Sequence, residues 1–306
     1  MKDMMTLSKI GEFGFIDSIR SKMTLSPSVI KGIGDDAAIV KSPKDKMLVL
    51  TTDMLIEGVH FTKDMPPRGI GRKALGCNLS DIAAMGGVPL YALVSLGISG
   101  KIPLPFVKKI YGEMEQLARR YGVSIVGGDT VKSNKIIINI ALVGQVNSRQ
   151  AVLRSGAKAG DQIFVTGPLG KSLSSQWHLK FIPRINESQY LIKHFRPTAM
   201  IDVSDGLAAD LGHILKESQA GAVLEQEKIP RRHGASVENA LYDGEDFELV
   251  FTLPASRSES LLKVSHPFKF YRIGEIIKGS GKNSLLQLKD KKGRCRIVPK
   301  KGFVHF

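Results

Sequence analysis

Cysteine is nearly absent: the 306 residues contain two, Cys77 and Cys295. They are far apart and lack metal-ligand spacing, so a disulfide framework and a cysteine-built metal site are both excluded, and a reducing, cytoplasmic setting is expected. Aromatics are scarce at 7%, with a single tryptophan. That speaks against a nucleic-acid surface built from exposed rings interleaved with cations. No apolar run approaches the ~20 residues of a membrane span. The stretch Ile136–Val143 is interrupted by Asn139 and reads as a strand, and Met1–Met23 lacks the apolar core of a signal peptide. Acidic residues are outnumbered, 29 against 44 Lys and Arg, giving a net charge of +15. Such an excess favours anionic partners, nucleotides among them.

What is present is a two-domain α/β (α+β) pattern. The length exceeds the usual single core, and strands and helices alternate in both halves. Met47–Thr52, Leu90–Leu96, Val123–Val126 and Ile136–Val143 read as strands. Arg72–Met85 reads as a helix of small residues. Pro105–Tyr121 reads as an amphipathic helix with Phe106, Ile110, Met114 and Leu117 on one face and Gly122 at its end. A polar, basic stretch, Gln145–Ala159, is expected to hold the boundary, dividing the chain into residues 1–146 and 147–306. Strand Gln162–Val165, helix Leu207–Glu217, strand Phe247–Thr252, helix Ser256–Val264 and strand Phe270–Ile273 follow.

Two motif matches fail on chemistry. Gly32-Ile33-Gly34-Asp35-Asp36-Ala37 fits the dinucleotide pattern G-x-G-x-x-A, but two carboxylates in the loop would repel a pyrophosphate, and Pro27 disrupts the preceding segment. Gly167-Pro168-Leu169-Gly170-Lys171-Ser172 has two residues between its glycines where a P-loop needs four.

The stronger signal is repeated aspartate beside Gly, Ser or Thr at apparent element ends. The segments are Gly34-Asp35-Asp36, Thr51-Thr52-Asp53, Ser80-Asp81, Gly127-Gly128-Asp129 and Asp202-Val203-Ser204-Asp205. Singly, each aspartate reads as a cap or turn former. Jointly, with apolar sequence around each, they would be costly to bury without a cation, and oxygen-only ligands suit Mg²⁺. The sequence thus points to a metal–phosphate site.

Read together, GIGDDAA (32–38), TTDMLIEGVHF (51–61), KALGCNLSDIAAMG (73–86), GGDT (127–130), RSGAKAG (154–160), VTG (165–167), IDVSDGLAADL (201–211), GEDFE (244–248) and the closing 302–306 resemble the thiamine-monophosphate kinase family. That family belongs to the aminoimidazole ribonucleotide synthetase-like superfamily. The resemblance implies an N-terminal domain with a mixed sheet that pairs in a homodimer, and a C-terminal α/β domain. It implies phosphorylation of thiamine monophosphate by ATP, with several Mg²⁺ ions, and no nucleic-acid or membrane partner. It carries the metal ligands to Asp36, Thr51, Thr52, Asp53, Asp81, Asp129, Asp202 and Asp205, and the catalytic role to Asp53, Asp81, Asp129 and Asp202. Nucleotide contacts fall on Gly128, Asp129, Arg154 and Ser204, and thiamine contacts on His60, Glu245 and Phe303. The sequence departs from the family pattern in a shortened 167–202 segment, in Asp243 before Gly244 and in Phe303 where tyrosine is usual. Selenophosphate synthetase, a superfamily relative, needs a reactive residue in a glycine-rich N-terminal segment, and no cysteine precedes Cys77.

Overall fold

The computed structural model describes residues 7–304 except 21, 44 and 280–284. Met1–Thr6 and the last two residues of the closing motif lie outside the described residues. In chain order the first half runs α1 (Leu7–Arg20), β1 (Val29–Lys31), β2 (Ala38–Lys41), β3 (Lys46–Ile56), α2 (Pro67–Ala84), β4 (Val88–Ile98), α3 (Leu104–Tyr121), β5 (Ser124–Lys132) and β6 (Ile137–Asn147). The second half runs β7 (Gln162–Val165), α4 (Ile185–His194), β8 (Ala199–Asp202), α5 (Leu207–Glu217), β9 (Ala220–Glu225), α6 (Val237–Tyr242), β10 (Leu249–Leu253), α7 (Ala255–Lys263), β11 (Tyr271–Lys278), β12 (Leu286–Lys289) and β13 (Cys295–Ile297).

The first half forms a six-stranded sheet in the order β1-β2-β3-β6-β4-β5. It is mixed, because β4 and β5 run parallel while its other pairs are antiparallel. The second half forms a seven-stranded sheet, β13-β12-β9-β11-β7-β10-β8, with one parallel pair, β9 and β12. Helix α2 lies between them. Its residues are small or apolar on nearly every side, and it is buried along most of its length, as expected of a helix without a solvent face. It packs on α3, β3 and β6 on one side and on α4 and β8 on the other. The close approach of α2 to α3 requires glycine: a Cβ on Gly71 would stand 2.1 Å from the Ile110 carbonyl oxygen. One continuous core therefore includes Ile70, Leu75 and Leu79 of α2, Ile138 and Ile140 of β6, and Met200 and Phe251 of the second sheet. The second sheet's other face packs on α5 and α6.

The amphipathic reading of α3 holds, with Ile110, Met114 and Leu117 buried and Gly122 closing the helix in the left-handed conformation. The helix expected over Arg72–Met85 begins earlier, at Pro67, and the strand expected over Phe270–Ile273 runs on to Lys278, and two further expectations change. The strand expected over Val123–Val126 does not stop at Gly127-Gly128-Asp129 but runs through it to Lys132, because Gly128 admits what a side chain would block. A Cβ there would lie 1.8 Å from the Val94 carbonyl oxygen. Gln145, expected in the linker, is the ninth residue of β6 and continues its alternation.

The first sheet has an open face. Leu50, Met54, Tyr91 and Leu93 are exposed there, while the alternate residues Val49, Leu55, Ala92 and Val94 are buried against the helices.

Candidate active site

The aspartates converge from both halves. Asp35 and Asp36 sit in the turn between β1 and β2, Asp53 on β3, Asp81 on α2, Asp202 at the end of β8 and Asp205 just before α5. The β1–β2 pairing is antiparallel, so the glycine-rich turn is no strand-to-helix dinucleotide loop. Likewise Gly167–Ser172 leads into an irregular turn and the 3₁₀ segment Trp177–Leu179, not into a phosphate-cradling helix.

Carboxylate oxygens of Asp36, Asp81 and Asp202 lie within 4.8 Å of one another. Around them the hydrogen bonds are specific. Thr51 Oγ1 donates to Asp81 at 2.6 Å, Ser80 Oγ to Asp202 at 2.5 Å and Arg154 Nη2 to Asp36 at 2.7 Å. Asp36 Oδ2 is buried with no hydrogen-bond partner. The Ser80 bond crosses from α2 to β8 and so ties the two halves at the acids. Asp205 does not cap α5, since Gly206 occupies that position without a side-chain bond. Instead Asp210 reaches back to accept the amides of Asp205 and Gly206 at 3.1 and 3.0 Å, which fixes the acidic loop.

Burial and mutual repulsion raise these acids. Asp36 is pushed from an ordinary 3.8 to about 6 by burial and by Asp202, against the pull of Arg154. Asp53 is raised to about 6 by burial and Asp205. Asp202 reaches about 6 through burial and Asp53, although the Ser80 bond and Arg154 oppose it. Asp205 rises to about 6 chiefly through burial. Asp81 is raised well above its ordinary value by burial and then by Asp53, Asp202 and Asp36. One arginine does not balance this set. Clustered hard oxygen donors, one of them an orphaned buried atom, fit a divalent cation such as Mg²⁺.

Two cavities meet at the acids. A cleft of about 1380 Å³ is walled by α1, the β1–β2 turn, Thr51, Thr52, Arg154, α5 and the chain's end, and its volume suits a nucleotide. A pocket of about 170 Å³ is lined by Asp53, Asp81, Asp202, Ser204 and Asp205, and also by His60, Lys73, Cys77, Glu245, Phe247 and Phe303. Phe303 borders both, and its amide donates to the Asp205 carbonyl at 3.0 Å. His60 Nδ1 accepts the Ile56 amide at 3.0 Å, so the proton of the neutral ring resides on Nε2.

The expected residues divide clearly. Asp36, Asp53, Asp81, Asp202, Asp205, Thr51, Arg154 and Ser204 meet, with His60, Glu245 and Phe303 beside them. Thr52 lines the large cleft, but its hydroxyl bonds Asn139 on the open face of the sheet. Gly128 and Asp129 stand apart. Asp129 pairs with Ser95, Ser95 with Asn139 and Asn139 with Met54. That row belongs to the open face, opposite Asp53, and three strand spacings put it roughly 14 Å away.

Lys73, Cys77, Phe247 and Asp210 line or brace the site without having been singled out by the sequence reading. Lys73, Cys77 and Asp81 recur every fourth residue of α2, one helix face, a spacing through which Asp81 could have led to the other two. Cys77 is an inert wall, its thiol pKa raised by burial. Phe247 stacks on Phe181 with ring centroids 4.2 Å apart, and Trp177 packs alongside, so the short 167–182 strap supplies an aromatic backing to the small pocket.

Comparison with known proteins gives the family and the fold. Residues 34–146 match the family described as AIR synthase related protein, N-terminal domain. The chain is 37% identical to a thiamine-monophosphate kinase of Buchnera aphidicola, over 90% of this chain and 93% of that protein. It is 33% identical to that of Bacillus subtilis, over 96% and 99%. Among solved structures, one described as AaThiL complexed with AMPPCP and TMP superposes with a TM-score of 0.85 at 33% identity, covering all of both chains. The hydrogenase maturation protein HypE in complex with ATP shares the fold at a TM-score of 0.71 and 23% identity, over 88% of this chain and 89% of that one. By sequence over nearly its whole length and by fold, this chain belongs to the thiamine-monophosphate kinase family.

Proposed function

We propose that this protein transfers the γ-phosphate of ATP to the phosphate of thiamine monophosphate, giving thiamine diphosphate and ADP. The observation that carries this is the junction of a nucleotide-sized cleft and a small ring-lined pocket at a knot of raised carboxylates. The relative seen with AMPPCP and TMP supports the choice of donor and acceptor. The acceptor is a phosphate monoester whose second pKa is about 6, so it is largely ionised at neutral pH and needs no general base. Bound Mg²⁺ ions would supply charge neutralisation and in-line alignment of two anions. Asp36, Asp81 and Asp202 would hold that charge, with Asp53 and Asp205 completing the donor set. Thr51 and Ser80 orient Asp81 and Asp202 for it. Arg154, fixed by Asp36, adds a permanent cation at the cleft, and Ser204 offers its hydroxyl on the wall of the small pocket. His60, Glu245 and Phe303 would receive the ring end, Phe303 by stacking on a cationic heterocycle.

The reading includes a homodimer. The open sheet face exposes Leu50, Met54, Tyr91 and Leu93 side by side, the kind of apolar surface that marks an interface. A second copy there would bring its own Gly128 and Asp129 toward the ATP phosphates of its partner, which accounts for their distance from the acids of their own chain. In this reading residues 1–146 form the dimerising unit and 147–306 the unit that completes the site. No strand of one sheet pairs with the other among the described residues. The two cysteines are free, in keeping with a reducing cytoplasm. No described helix is long and apolar enough to cross a membrane.

ADP release with thiamine monophosphate and with unphosphorylated thiamine tests the acceptor. Release with the monophosphate alone supports the assignment, and equal release with both contradicts it.

A further inference from the structure

Lys73 is a charged residue that the reaction does not explain. Its side chain is 1% exposed, yet it lies on the α2 face that borders the small pocket. Its ammonium donates to the His60 carbonyl at 2.7 Å and to Glu245 Oε1 at 2.5 Å. The other Glu245 oxygen, Oε2, is buried and has no hydrogen-bond partner. The main chain of Glu245 is equally constrained. Its φ is +65°, its amide donates to the Ser204 carbonyl at 2.7 Å, and its carbonyl accepts from Ser172 Oγ at 2.5 Å. A non-glycine residue held at positive φ by bonds on both sides marks a position fixed for a purpose beyond the turn.

We infer that Lys73 is a positioning residue that sets which hydrogen-bonding polarity residue 245 presents to the ring end of the acceptor. The inference deepens the function proposed above and rests on it. An ammonium only donates, so it compels residue 245 to turn an oxygen toward it. With glutamate the atom left over is also an oxygen, and a buried lone acceptor in a pocket selects a partner with an N–H. The exocyclic amine of an aminopyrimidine is such a donor. The pocket therefore discriminates between heteroaromatic phosphates by the presence of a ring amine, and Lys73 enforces that choice without touching the substrate.

The test is calorimetric binding of thiamine monophosphate, without ATP, to wild type, Glu245→Gln and Lys73→Met/Glu245→Gln, with melting temperature as the check on folding. In the single variant Lys73 holds the amide oxygen and turns the NH₂ toward the pocket, donor against donor, so affinity falls at least tenfold. In the double variant the amide is free to rotate, and most of that loss is recovered. A double variant that binds no tighter than Glu245→Gln overturns the inference, as does a Glu245→Gln protein with wild-type affinity. A second measurement does not depend on the double variant folding. An analogue with methyl in place of the ring amine binds wild type at least tenfold more weakly than the natural compound, and binds Glu245→Gln no worse than wild type. Equal wild-type affinity for both compounds overturns the inference while leaving the kinase reading intact. Wild type that binds no thiamine monophosphate at all removes the kinase reading itself.

Discussion

The acid knot makes the metal-free protein more stable in mild acid than at neutral pH, and Mg²⁺ removes that difference. Asp36, Asp53 and Asp202 are each raised from 3.8 to about 6. A group that holds its proton more tightly in the folded state stabilises the fold fully below its ordinary pKa. That contribution is lost as pH rises through the folded value, here about 6. A rise of about 2 units corresponds to roughly 3 kcal/mol. Because these acids titrate as one coupled set, the contribution is taken once. For a chain of this size it translates into about 6–12 °C of melting temperature. In EDTA, the melting temperature read by differential scanning fluorimetry should therefore fall by about two thirds of that amount, roughly 4–8 °C, between pH 4.5 and pH 7.5, because at pH 4.5 the contribution is already partly lost. Millimolar Mg²⁺ should restore it at pH 7.5 and do little at pH 4.5, where protons already occupy the carboxyl groups. Asp81→Asn should raise the metal-free melting temperature at pH 7.5, because it removes a buried charge that repels three others, and should remove the Mg²⁺ response and at least 10³-fold of turnover. A flat melting profile across this range in EDTA, or a Mg²⁺ shift equal at both pH values, would refute the reasoning.

Three further outcomes follow from particular contacts. Gly128→Ala places a Cβ 1.8 Å from the Val94 carbonyl and should destabilise the β4–β5 edge by roughly 2–4 kcal/mol, seen as a lower midpoint in urea. Phe303→Ala should raise KM for thiamine monophosphate about tenfold, the loss of one stacked ring, while Phe303→Tyr should match wild type; steady-state kinetics separates the two. Asp53→Ala and Asp129→Ala, each inactive alone, should regain about a quarter of wild-type activity after mixing and subunit exchange. The exchanged dimer would then hold one site with both acids, one from each protomer. No recovery, from chains shown to exchange, places the two acids in one protomer's site or assigns Asp129 elsewhere.

Much of this architecture is legible in the sequence. The period of α3 and its terminal Gly122 define that helix, and β7 and α5 fall on the expected residues because each is bounded by turn formers. The acids were readable as a set because carboxylates set in apolar sequence are costly to bury without a cation, although Asp53 lies inside β3 and Asp81 inside α2, not at element ends, and Asp129 is exposed within β5. Other features were not readable, for physical reasons. Short strands such as β9 and β12 carry little period of their own and form by pairing with distant partners. The open face of the first sheet is invisible in alternation alone, since β3 and β6 look amphipathic only once α2 is known to cover the other side. The position of Asp129 depends on register across three strands, which no local pattern encodes. Lys73 reads as an ordinary surface lysine until Glu245, distant in sequence, closes over it.

The most direct measurement of the central claim is ³¹P NMR of the protein incubated with thiamine monophosphate, ATP and Mg²⁺. The account predicts that thiamine diphosphate and ADP appear in equal amounts, that EDTA abolishes both, and that no phosphate is released when the acceptor is present. ADP with inorganic phosphate and no thiamine diphosphate, from protein that binds both ligands, would contradict it.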